Sequence, residues 1–145
     1  MSLDPTDLYK EVILDHNRWP RNRGRLEEFN RSSSGFNPLC GDQIALTLNV
    51  SQNQIEDIKF DAQGCAMTVA SASIMTEAVK GRTVDDALKL FDAFHDCISG
   101  KLPPESLDDS EEYYALLGVR ALPVRIKCVM LAWHALHDAL SENET

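Results

Sequence analysis

The sequence predicts an α+β fold: a small antiparallel sheet of about three strands, packed on one side by about five helices. Three observations carry that prediction. Residues 43–62 alternate apolar and polar side chains as a half-buried hairpin does. From residue 66 the apolar period becomes helical, and Pro and Gly fall where helices would start and stop. At 145 residues the chain has the size of one domain, and 1–145 reads as a single unit without repeat, linker or low-complexity tract.

Asp4-Pro5 followed by Leu8, Val12 and Ile13 reads as a helix with Pro in its first turn, ending before Pro20. The polar, Gly/Ser-containing stretch that follows has room for one short strand at Ser34–Phe36. From Gln43 onward Ile44, Leu46, Leu48 and Val50 alternate, SQNQ turns the chain, and Ile58, Phe60 and Ala62 return it antiparallel. Residues 66–80 form the next helix, closed at Gly81. Thr83, with Asp86 three residues on, caps a helix through Leu88, Leu90, Phe91, Phe94 and Ile98, ended by Gly100. A short helix spans about Glu111 to Leu117, and Pro123 opens the last one. On that last helix Val129, Ala132, Trp133, Leu136 and Leu140 share a core face. Lys127, His134 and Asp138 lie opposite, with Arg125 and Cys128 on the flank.

The net charge of −9, from 14 basic and 23 acidic residues, argues against nucleic acid as a partner, since phosphate binding needs clustered Lys and Arg. No apolar stretch approaches the ~20 residues that span a bilayer, and the N-terminus lacks the basic start and apolar run of a secretory signal. The expected compartment is the cytoplasm, where four cysteines read as metal ligands, reactive thiols or core residues rather than disulfides.

Each cysteine has its own context. Cys65 stands where strand gives way to helix, near unpaired N–H groups that lower a thiol's pKa. Cys40 lies on the loop into the first hairpin strand, and the antiparallel return brings Cys65 to the same end of the sheet. Cys128 lies in the second turn of the last helix. The plain alternative is that all four are small buried hydrophobes. That alternative is preferred for Cys97, whose neighbours Phe94 and Ile98 share its helical face. His95, His134 and His137 read as helix residues rather than ligands, and His16 as structural.

The motifs DHNRWPRNRG (15–24), NPLCGD (37–42), FDAQGCAMTVASASIMTEAVKGRTVDDA (60–87) and LPVRIKCVMLAWHAL (122–136) together resemble the IscU/NifU-like iron–sulfur cluster assembly family over nearly the whole chain. Two features place the resemblance closest to the SufU branch. Lys127 stands where IscU-type scaffolds have a histidine before the third cysteine, and residues of about 92–120 resemble the SufU insertion. Trp19 departs from the family, which more often has a small polar residue there.

The resemblance implies a SufE/IscU-like fold and a metal site of Cys40, Asp42, Cys65 and Cys128. It implies Zn²⁺, with iron or a [2Fe–2S] cluster as the alternative. Three thiolates and a carboxylate would leave a zinc site with a formal charge of −2. Arg125 is then the expected charge partner, with Lys127 second. The implied activity is zinc-dependent acceptance of persulfide sulfur on Cys40 from a SufS-type cysteine desulfurase, with a docking histidine releasing Cys40. Such a chain is a sulfurtransferase-like partner rather than an autonomous enzyme, passing sulfur toward other Suf assembly proteins and apo iron–sulfur clients. The alternative is a scaffold that builds a labile [2Fe–2S] cluster on the same ligands.

Overall fold

The computed structural model describes the backbone of residues 5–141 and the side chains of residues 10–141. Three strands, β1 (Arg31–Asn37), β2 (Asp42–Ser51) and β3 (Gln54–Gln63), form an antiparallel meander in chain order. Four α-helices, α1 (Pro5–Arg18), α2 (Ala66–Val79), α3 (Val84–Ile98) and α4 (Pro123–Ser141), are joined by a fifth helix of 3-10 type at Glu112–Val119. A single 3-10 turn, Pro104–Ser106, precedes it. The expected architecture is therefore the observed one. Asp4 and the Leu8 side chain, part of the expected first helix, lie outside the described residues.

The hairpin follows its pattern. Leu46 pairs with Phe60 and Leu48 with Ile58, all buried on the helical side, and Gln52 and Asn53 close the turn with φ of 53° and 63°. Two consecutive left-handed residues make the type I′ turn whose twist suits an antiparallel pair.

The first strand is longer than expected, running back to Arg31, and tertiary contacts explain it. Arg31 Nη1 donates to the carbonyls of Ala139 and Leu140 at 3.1 and 3.3 Å, and Ser33 Oγ donates to Ala135 at 2.6 Å. The Ala139 and Leu140 carbonyls belong to the last turn of α4, which needs partners from outside the helix, and Ala135 lies one turn earlier. With three serines and a glycine among its seven residues β1 has weak strand propensity, and its ladder with β2 is supported by these bonds to α4.

Helix α2 carries small and apolar residues on every side, and Thr68 through Thr76 are all buried, as expected of a helix wrapped by its neighbours. Its hydroxyls are paired: Ser71 Oγ donates to Val129 O at 2.7 Å and accepts from Trp133 Nε1 at 3.1 Å. Ser73 Oγ accepts the Arg21 amide at 2.8 Å and lies 2.7 Å from His16 Nδ1, while His16 Nε2 meets Glu112 at 2.8 Å. His16 is fully buried and structural, tying α1 to α2 and to the 112–119 helix.

Thr83 caps α3 as expected, accepting the Asp86 amide at 3.0 Å. Phe94 stacks on the fully buried Trp133 with ring centroids 4.2 Å apart, joining α3 to α4. The 112–119 segment is 3-10 rather than α: it is short, contains Gly118, and is positioned by Tyr113, Leu116 and Leu117 in the core. Trp19 is 70 % exposed. Among the described residues no helix is long and apolar enough to cross a membrane.

Candidate metal centre

The sheet delivers three of the four expected ligands to one end. Asn37 pairs with Asp42 across β1 and β2, so Pro38, Leu39, Cys40 and Gly41 form the connecting loop, closed by the Gly41 amide on Asn37 O at 2.8 Å. Gly41 has φ of 72°, a conformation that costs a residue with a Cβ, although the space around it is open. The glycine is thus required for its backbone angle and not for room.

Beside that loop, Gln63 at the end of β3 pairs with Gln43, and Gly64 then leads into Cys65, the N-cap of α2. The chemical reason for Gly64 is a close approach. A Cβ there would overlap the Asp42 carboxylate and come within 3.0 Å of Asp42 Cα, and φ is 147°. This glycine was not among the expected site residues. Its sequence signal is a glycine immediately before a candidate cysteine at a strand-to-helix junction.

Helix α4 supplies the remaining ligand, Cys128, from its second turn. The ligand atoms of Cys40, Asp42 and Cys128 all lie within 4.8 Å of one another, with the Cys40 and Cys128 sulfurs 3.8 Å apart. A tetrahedral ion with Zn–S bonds of ~2.3 Å would have sulfurs about 3.8 Å apart. The donor set and its spacing fit zinc. Cys65 stands at the margin of this group: its sulfur is 3.9 Å from Asp42 Oδ2 and 3.5 Å from Thr68 Oγ1, while its amide donates to Asp42 Oδ1 at 2.9 Å.

Burial divides the residues. Asp42 and Cys128 are fully buried, Cys65 is intermediate and Cys40 is exposed. Burial pushes the Cys128 thiol well above its ordinary pKa, reinforced by its hydrogen bonding toward Cys65, Asp42 and Cys40. Burial acts in the same direction on Cys65, but hydrogen bonds from the Thr68 side chain and amide, from Cys128 and from the Met67 amide outweigh it and lower the pKa. The two thiols are thus shifted in opposite directions, Cys128 up and Cys65 down. A metal ion held here would have to displace the proton of each thiol it took as a ligand. Thr68 is a second contributor that was not foreseen. It lies in the first turn of α2, where its hydroxyl reaches the N-cap sulfur.

Cys97 and the histidines of α3 and α4 are not among the clustered ligand atoms. Cys97 is fully buried, donates to Pro103 O at 3.5 Å and has its pKa raised chiefly by burial. Arg125 lies exposed in the first turn of α4 and, among the described residues, has no ion-pair partner. His95, His134 and His137 are not all solvated: they surround the Phe91 ring at centroid distances of 5.9, 5.6 and 4.7 Å, between α3 and α4.

Residues 8–145 match the family described as the NifU-like N-terminal domain. The zinc-dependent sulfurtransferase SufU of Bacillus subtilis is 41 % identical over 137 residues, covering 94 % of this chain and 92 % of that protein. The iron–sulfur cluster assembly scaffold protein IscU of Streptococcus pyogenes serotype M1 is 39 % identical over 136 residues, covering 94 % and 84 %. A crystal structure from Fervidobacterium islandicum AW-1, described as a candidate iron–sulfur cluster assembly scaffold for the SUF system, superposes with a TM-score of 0.81 at 30 % identity. It covers 90 % of this chain and 95 % of that one. Fold, thiol-and-carboxylate cluster and sequence agree, and the chain belongs to the NifU-like N-terminal domain family of iron–sulfur cluster assembly proteins.

Proposed function

We propose that this chain accepts sulfur on Cys40 from the persulfide of a SufS-type, PLP-dependent cysteine desulfurase in the cytoplasm, and passes it toward iron–sulfur cluster assembly. The observation that carries the reading is the contrast within the site: Cys40 is exposed on a loop, while Asp42 and Cys128, whose ligand atoms lie within 4.8 Å of its own, are wholly buried. A partner's sulfur can reach Cys40 and cannot reach Cys128.

In this reading Cys40, Asp42, Cys65 and Cys128 hold a Zn²⁺ ion. When bound, it keeps the thiols deprotonated at neutral pH and masks Cys40 until the partner docks. Arg125, one helical turn before Cys128, supplies part of the counter-charge. The reacting group is the Cys40 thiolate, which attacks the outer sulfur of the donor persulfide. A bond forms between Cys40 Sγ and that sulfur, the sulfur–sulfur bond of the donor breaks, and the donor cysteine leaves as a thiolate. Cys65 and Cys128 stay in place, one fixed at a helix N-cap and the other inside a helix.

The competing reading is a scaffold on which a [2Fe–2S] cluster is assembled and released. The carboxylate favours it, because an oxygen ligand makes a cluster labile, and the IscU relative from Streptococcus pyogenes is described as a scaffold. Lys127 in place of a histidine before Cys128 favours sulfur transfer.

The test is reaction with a desulfurase and cysteine followed by peptide mass analysis. A gain of one sulfur on the peptide containing Cys40 is expected. Sulfur on the Cys65 peptide with none on Cys40 would overturn the assignment.

A further inference from the structure

A groove of about 290 Å³ opens beside the Cys40 loop and is not used by the metal centre. Phe36, Asn37 and Pro38 form one wall, Ile98 and Ser99 at the end of α3 a second, and Ile126, Met130 and Leu131 of α4 the floor. Its remaining lining residues are Lys127, His95 and His134, and among the described residues no Asp or Glu lines it, in a chain whose net charge is −9. Every ionisable or amide side chain on it can donate a hydrogen bond.

Asn37 is also part of that lining. It is 8 % exposed, its Oδ1 accepts the Leu39 amide at 3.2 Å, and its Nδ2 is buried with no acceptor among the described residues. Buried amide donors are nearly always paired, and this one lies beneath the surface, so it is Lys127 and the two histidines that offer donors to the groove itself. Around it the exposed surface is apolar: Phe36 is 59 % and Leu39 70 % exposed.

We propose that this groove anchors a segment of the sulfur-donating protein in which an apolar side chain stands next to a carboxylate. The apolar group lies against Phe36, Ile126 and Leu131, and the carboxylate faces Lys127 and His134. The proposal rests on the sulfur-acceptor reading. It commits to the donor protein because Pro38 is two residues from Cys40, so whatever brings a persulfide to that thiol covers the mouth of the groove. The lining, rich in donors and free of acids, selects for the opposite chemistry in the occupant.

The experiment measures desulfurase turnover against the concentration of the zinc-loaded chain for wild type, His134→Glu and His134→Lys, with Ser99→Glu and Ser99→Lys as an independent pair on the exposed rim. His134→Glu and Ser99→Glu should raise the KM for the chain about tenfold with kcat and zinc content unchanged, and the two lysine variants should keep the wild-type KM. An unchanged KM in both glutamate variants, with wild-type sulfur uptake intact, overturns the groove alone, as does an equal loss with glutamate and lysine. A wild-type chain that takes up no sulfur removes the acceptor reading, and the groove proposal with it.

Discussion

Cys40→Ala is expected to abolish sulfur uptake: desulfurase turnover should fall to the rate without this chain, a loss on the order of 100-fold, while the metal-free fold is kept. The two halves follow from one position. Cys40 is exposed on a loop, where substitutions change stability by no more than ~0.5 kcal/mol. It is also the only one of the three cysteines at the site whose sulfur an incoming protein can meet head-on, since Cys128 is buried and Cys65 is turned toward Asp42 and Thr68. Turnover assays and thermal melting of the metal-free protein check both. A zinc that merely staples loops predicts the reverse, a less stable holo-protein with the partner's turnover unaffected.

Gly64→Ala is expected to damage the metal centre far more than Gly41→Ala. Both glycines have positive φ, so either substitution strains the backbone by roughly 1–3 kcal/mol. At Gly41 nothing lies within 4 Å of the added methyl, and strain is the whole cost. At Gly64 the methyl must push aside the Asp42 carboxylate, which also accepts the Cys65 amide. That single displacement disturbs a ligand and the residue that orients the neighbouring ligand, and a loss of about 10–100-fold in zinc affinity is expected. Competition with a chelator measures it. A Gly41→Ala protein that binds zinc more weakly than Gly64→Ala would contradict the close approach at residue 64.

These two glycines also show how far the sequence could be read. Elements whose cause is local were legible: the alternation in β2 and β3, the turn after Ser51, the Thr83 cap, and the core face of α4 through Trp133 and Leu136. Elements caused from a distance were not. The strand over Arg31–Asn37 extends beyond its propensity because Arg31 bonds carbonyls more than 100 residues away. Gly41 has a positive φ with open space around it, whereas the steric demand sits at Gly64, which only the approach of β2 to the β3–α2 junction creates. Motif resemblance marked Cys40, Asp42, Cys65 and Cys128. It carried no information about Thr68, which reaches the Cys65 sulfur within the first turn of α2, or about the opposite pKa shifts of Cys65 and Cys128 and the donor-lined groove, which arise where separate elements pack.

The same logic explains the histidines. Two of the three lie on α4 and the third on α3, so their shared contact with Phe91 is invisible along either helix. Packing lowers the pKa of His134, first through burial and then through His95, and the neutral imidazole is the form the fold favours.

The central claim is that one ion is held by three sulfurs and a single carboxylate oxygen. X-ray absorption at the zinc edge of the protein as purified tests it most directly. The expected spectrum has three sulfurs at ~2.3 Å and one oxygen at ~2.0 to 2.2 Å. A zinc with two sulfurs or fewer, or an iron edge with an iron neighbour in place of zinc, would contradict it.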